Sequence, residues 1–306
     1  MRRQEKRRRL LLLLLVVVAT VTSTALLGCC FMVSSPDGMI LESVADHLPS
    51  DDPRVLAELK QWFLDPPSTL PYNLSTNPHY LATSRMGTWP FIHKNLRQLF
   101  SEEREGFFVE AGALDGQQLS NTLWLEQELK WTGLLVEPDP FSYEALRAKH
   151  RKAWTSKTCP SQDNFVQEVV HVSAILRKQY FSPWKWHLRG ASYQLGVNRS
   201  AIFDTYLQTA DQTYTITTCF PLISYLLALN VTTVDFLSLD TQGTEIGILK
   251  SLPWSAIAIR VIIVEIEDST FDPSLTGYMN DRGYVLITHE TDYIYVKEGD
   301  PVLSLL

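Results

Sequence analysis

From Phe107 to the C-terminus, short apolar runs alternate with segments whose apolar residues recur at helical spacing, and this alternation restricts the fold more than any other feature. Strands are predicted at Phe107–Ala111, Thr132–Glu137, Phe165–Ala174, Val234–Asp240, Arg260–Glu267, Tyr284–Thr288 and Tyr293–Lys297. Helices are predicted near Leu119–Lys130, Phe141–His150, Pro221–Asn230 and Thr244–Ser251. Such a rhythm implies an α/β fold with a mostly parallel sheet, because parallel neighbours need a long crossover between them. Ligands of these sheets sit beyond the carboxyl ends of the strands, so the residues there are the first candidates for chemistry.

Three strand ends stand out. The first strand breaks into Glu110-Ala111-Gly112-Ala113-Leu114-Asp115-Gly116, where Gly112 permits a tight turn and close approach of backbone to a ligand. Gly116 lets the loop lead into the next helix. About 20 residues on, Thr132-Gly133-Leu134-Leu135-Val136-Glu137 ends in a carboxylate, the residue type that accepts hydrogen bonds from ribose hydroxyls. The other reading of Glu137 is a surface acid flanking the cap pair Asp139-Pro140. The third end is Asp240, within Asp240-Thr241-Gln242-Gly243-Thr244-Glu245. Beside a ligand crevice it would orient a substrate or take a proton; the other reading has it capping the helix near Thr244, with Glu245 complementing that helix's dipole.

The N-terminal part carries a different signal. Residues 1–9 hold six basic side chains against Glu5, although the whole chain has a net charge of −7. Leu10 to Val33 follows without a charge, long enough at 1.5 Å per residue to cross a hydrocarbon core of ~30 Å. Positive charge on one side only predicts a cytosolic tail at 1–9, a lipid-spanning anchor at 10–33, and a lumenal remainder, a single-pass type II arrangement. A cleaved signal peptide ending near Ser23-Thr24-Ala25 is the competing reading, and it places the body in the same compartment. Residues 34–95 read as a stem containing a short amphipathic helix that begins after Asp52-Pro53, and 96–306 as the α/β domain. An acidic body with its basic residues in the tail excludes nucleic acid as the expected partner.

Export has further marks. Asn73, Asn198 and Asn230 each open an Asn-X-Ser/Thr acceptor for glycosylation. Cys159 and Cys219, the only cysteines of the body, would pair in an oxidising lumen; the alternative is two buried thiols. Cys29 and Cys30 are either palmitoylated or plain apolar helix residues. The seven histidines show no ligand spacing, so no metal is expected. Tyr180-Phe181, Trp184, Trp186 and Tyr193 form either a lid or cargo-facing surface, or core packing of an insertion.

Glu110–Gly116, Ser120-Asn121-Thr122, Trp131-Thr132-Gly133-Leu134-Leu135-Val136-Glu137-Pro138, Asp240–Glu245 and the closing Asp292–Lys297 together resemble the FkbM family of S-adenosylmethionine-dependent methyltransferases. The basic-anchor-stem N-terminus and the placement of the two body cysteines most resemble the membrane-anchored Star-type branch, which is associated with cargo moving through endoplasmic reticulum, Golgi and endosomes. This resemblance implies a Rossmann-like methyltransferase fold of seven strands with an antiparallel last strand. It also implies S-adenosylmethionine as cofactor, with Glu110, Gly112, Asp115 and Gly116 at its methionine end and Glu137 at its ribose. Membrane or secreted proteins are implied as partners. The family's Asp-Val-Glu-Gly-Ala-Glu pattern here reads Asp240-Thr241-Gln242-Gly243-Thr244-Glu245, which removes the middle carboxylate.

Overall fold

The computed structural model describes residues 48–85, 87–101, 103, 105–175, 192–197, 211–266, 272–289 and 292–306. The basic tail, the anchor at 10–33, Asn198 and the aromatic run from Tyr180 to Trp186 lie outside the described residues. No helix among the described residues is long and apolar enough to cross a membrane.

Eleven strands are described in chain order: β1 (Phe107–Ala111), β2 (Thr132–Val136), β3 (Trp154–Ser156), β4 (Cys159–Pro160), β5 (Gln167–Ile175), β6 (Ser192–Gln194), β7 (Asp211–Phe220), β8 (Thr233–Leu239), β9 (Ala258–Glu265), β10 (Tyr284–His289) and β11 (Asp292–Lys297). Seven of them form one sheet in the order β10-β11-β9-β8-β1-β2-β3. Within it β11 alone runs against the others, as the family resemblance implied. The first and fourth sequence-predicted strands, β1 and β8, are neighbours. Their residues are buried on both faces, as a sheet sandwiched by helices requires, with Phe108, Phe236, Val261 and Ile263 in one continuous core.

One strand expectation is corrected. Phe165–Ala174 does not belong to the main sheet; it corresponds to β5 of a second, four-stranded sheet in the order β4-β7-β5-β6. The main sheet takes β3 instead, whose three residues are too few to show any periodicity. Cys159 and Cys219 are register partners on β4 and β7, and they form a disulfide.

The helices are α1 (Pro53–Glu58), α2 (Pro78–Thr83), α3 (Trp89–Leu99), α4 (Leu123–Leu129), α5 (Pro140–Ala148), α6 (Leu222–Ala228), α7 (Glu245–Ser251) and α8 (Pro273–Asn280). One device starts four of them. Asp52, Asn77, Asp139 and Asp272 each precede a proline and accept the N–H of a residue two or three places on. The side chain satisfies a donor that the first turn leaves unpaired, and proline presets the helical φ. The segment read as a stem packs into the domain from residue 48. Asp65 and Thr155 exchange two backbone hydrogen bonds (2.9 and 3.0 Å) at the free edge of β3, and Val55 and Leu59 are fully buried.

Candidate functional site

Strand register brings four residues to one rim. Ala111 pairs with Val136 and with Leu239, and Leu239 pairs with Val264. The next residues, Gly112, Glu137, Asp240 and Glu265, the last of these still paired with Asp292, therefore stand at one level. On the Gly112 and Asp240 side of this rim is a small hollow, lined among the described residues by Glu110 to Gly112, by Leu114, by Gln118, Leu119 and Asn121, and by Ser238 and Asp240.

The loop that closes β1 is built from left-handed backbone. Gly112 has φ +86°, Leu114 +47°, Gly116 +73° and Leu119 +56°. Leucine adopts this region at a cost of roughly 1–2 kcal/mol, so something must hold it there. Glu137 does: its carboxylate accepts the N–H of Leu114 (2.7 Å) on one oxygen and that of Asp139 (2.9 Å) on the other. Burial pushes this carboxyl well above its usual range, and the nearby charges of Asp139 and Asp240 add to the effect. Glu137 is buried behind Leu114 and does not line the hollow directly.

Glu110 faces the hollow but is already engaged. One oxygen accepts the hydroxyls of Ser120 (2.9 Å) and Thr122 (2.5 Å), and the other accepts the N–H of Asn121 (2.7 Å). Burial raises its carboxyl, and the Arg151 guanidinium opposes that shift. Arg151, wholly buried, pairs with Glu126 (3.0 Å) and donates to the carbonyl of Gly116, Ser120 Oγ and Thr122 Oγ1. The Ser-Asn-Thr turn is thus clamped between a carboxylate and a guanidinium. That leaves Asn121 on the wall, where its Nδ2 donates to Ser238 Oγ (3.0 Å) and its Oδ1 is buried without a partner among the described residues.

Asp115 and Gly116 are not brought to the hollow. Asp115 accepts the Tyr80 hydroxyl (2.6 Å) and the N–H groups of Gln117 (3.0 Å) and Gln118 (2.7 Å), and it lies 3.3 Å from Lys149 Nζ. Gly116 lies against Leu146 and Arg151, where a side chain would collide with Leu146. Both residues shape the loop from behind.

Around Asp240 the sequence left two readings, and the bonds separate them. The N–H groups of Thr241 (2.6 Å) and Gly243 (3.0 Å) are taken by Glu245, whose carboxyl burial pushes up to about 7, while Thr244 makes no side-chain cap. Asp240, half-buried, receives instead the Gln242 amide (2.8 Å), which also donates to Glu265 (3.1 Å). Burial, then the charge of Asp240, raises Glu265 well above the usual range. Gln242 holds two acids with one neutral donor, where the family pattern's glutamate would place a third carboxylate.

Reasoning from sequence did not pick out Asn121, Ser238 or Glu265 as site residues. Asn121 stood inside the Ser120-Asn121-Thr122 motif with no role attached, and Glu265 sat within the predicted span Arg260–Glu267 rather than at its end. Of the glycosylation acceptors, Asn73 and Asn230 are exposed. Asn73 also donates its Nδ2 to the carbonyl of Ala148 (3.0 Å).

Comparison with known proteins follows the same residues. A family model described as "Methyltransferase FkbM domain" matches residues 110–286, more than half of the chain. No curated protein matches. Among solved structures, the human methyltransferase 10 domain containing protein is similar at 10% identity and a TM-score of 0.34, over 80% of this chain and 94% of that one.

Proposed function

The chain belongs to the family of the methyltransferase FkbM domain, and on that premise we propose that its hollow holds S-adenosylmethionine and directs methyl transfer to an oxygen or nitrogen acceptor. One observation carries this reading: the register that sets Gly112, Glu137 and Asp240 around one rim. The residues fit such a group. Gly112 leaves room for close backbone approach, Glu137 spends only one acceptor position on each oxygen, and among the described residues no lysine or arginine lines the hollow against a cationic ligand.

Glu137 would accept the ribose hydroxyls once the Leu114 turn gives way, and the end of β1 would face the methionine portion. When bound, S-adenosylmethionine supplies an electrophilic methyl group. Asp240, held by the Gln242 amide and by the Glu265 carboxyl, would orient the acceptor or take its proton. Alignment and exclusion of water are the main demands of such a transfer, so a strong base is not required. Calorimetric titration of the full-length chain with S-adenosylmethionine tests the proposal. Binding in the micromolar range is expected, and no heat at millimolar ligand would remove it.

Gln242 favours a second reading, in which the same fold serves as a binding module for membrane or secreted cargo. The family's middle carboxylate is replaced by an amide, so chemistry at this position is weakened while the fold is kept. The basic residues of 1–9, the apolar run 10–33 and the disulfide support a type II anchor with this domain on the lumenal side of endoplasmic reticulum, Golgi or endosome. Export of cargo that survives the Glu137→Ala, Asp240→Ala double variant would favour the module; export lost in step with cofactor binding would favour the enzyme.

A further inference from the structure

We infer that Asn121 reads the ligand of the hollow, its Oδ1 accepting a hydrogen bond from an ammonium group, the α-amino end of an amino-acid-bearing nucleoside. The inference rests on the cofactor reading proposed above and names which side chain recognises which part of it.

Asn121 is fixed on every side except one. Its own N–H is held by Glu110, the residues before and after it are held by their hydroxyls on the same carboxylate, and its Nδ2 is held by Ser238. Behind it the buried Arg151 grips Ser120 and Thr122. A side chain locked in this way pays little further ordering entropy when it binds something. Its Oδ1 is the exception, an amide carbonyl buried without a partner among the described residues, in a wall that faces the hollow. Buried carbonyls are rarely left unpaired, so one carried by a residue that lines a cleft is the acceptor a ligand's donor would reach first.

The surrounding charge says what donor it waits for. Among the described residues the lining includes the acids Glu110 and Asp240 and neither lysine nor arginine. The Arg151 charge lies behind the Ser-Asn-Thr turn and is matched by Glu126 and Glu110. A ligand carboxylate or phosphate placed against Asn121 would meet the like charge of Asp240. An ammonium group meets an acceptor and the Asp240 carboxylate, so the cationic end of the ligand belongs on this wall and any carboxylate belongs elsewhere.

The test compares two probes that share the nucleoside and differ at the amino-acid end, S-adenosylhomocysteine and 5′-methylthioadenosine, titrated into the full-length chain. Asn121→Ala is expected to weaken S-adenosylhomocysteine by about 10–100-fold, the loss of one hydrogen bond to a charged group, while methylthioadenosine binds as before. Asn121→Asp, which keeps an acceptor at the same place, is expected to retain S-adenosylhomocysteine. Equal loss of both probes in Asn121→Ala would mark a purely structural role and overturn the inference. Unchanged binding of both would overturn it as well. If the wild-type chain binds neither probe, the cofactor reading itself fails, an outcome distinct from the other two.

Discussion

The carbonyl oxygen of Asp240 stands where a side chain on residue 112 would begin: a β-carbon added to Gly112 would lie 1.8 Å from it. The two strand ends are locked face to face, since Asp240 also donates its N–H to the carbonyl of Ala111 (3.0 Å). Gly112 is therefore required twice, by its φ of +86° and by the backbone beside it.

Gly112→Ala should cost roughly 2–4 kcal/mol, combining left-handed strain with a clash against backbone that cannot move aside cheaply. Urea denaturation measures the loss. A change under about 0.5 kcal/mol, the range of ordinary surface substitutions, would show that the β1 and β8 ends are not locked in this way.

Glu245 makes stability depend on pH in a definite direction. Its folded-state carboxyl titrates at about 7 against 4.5 when free, because burial disfavours the charge. The folded chain holds the proton more tightly, so the stability from this group is fully present below pH 4.5 and is lost as pH rises towards 7. Glu245→Gln should flatten that part of the profile. Melting curves of the two proteins from pH 5 to 7.5 should diverge towards the acidic end, with wild type gaining more. Parallel curves would contradict the burial argument.

How much of this was legible in advance differs between elements. The order of strand and helix and the three strand ends were readable because local periodicity and glycine placement write them directly into the chain. The roles of Asp115 and Glu110 were not. Both lie in the motif, but one turns towards Tyr80 of α2 and the other is saturated by Ser120, Asn121 and Thr122 where the loop after β1 folds back, and neither fold of the chain is written in local periodicity. The strand Phe165–Ala174 was assigned to the wrong sheet because alternation reports a pleated surface and not the sheet that it joins. The three-residue β3 was invisible for want of length.

Gln242→Glu restores the family's residue, and it should destabilise the chain. The shared amide donor disappears and a third carboxylate arrives beside Asp240 and Glu265. A loss of about 1–3 kcal/mol is expected at pH 7.5. It should shrink at pH 5, because a carboxyl forced upward by its neighbours gains its proton there. Equal losses at both pH values would mean that charge crowding is not the cause.

The Cys159–Cys219 disulfide ties β4 to β7 across 60 residues. On the chain-entropy account, closing a loop of that length is worth about 4 kcal/mol. Denaturation of wild type and of the Cys159→Ser, Cys219→Ser double variant should differ by a comparable amount under non-reducing conditions. No difference would show that the second sheet is held by its hydrogen bonds alone.

Hydrogen–deuterium exchange of the full-length chain, with and without S-adenosylhomocysteine, tests the crevice most directly. Protection should rise together in peptides covering residues 110–121, 134–141 and 236–247, the three strand ends that meet at one rim, with little change over β10 and β11. Protection confined to another surface, or none at saturating ligand, would contradict the placement of a nucleoside between Gly112, Glu137 and Asp240.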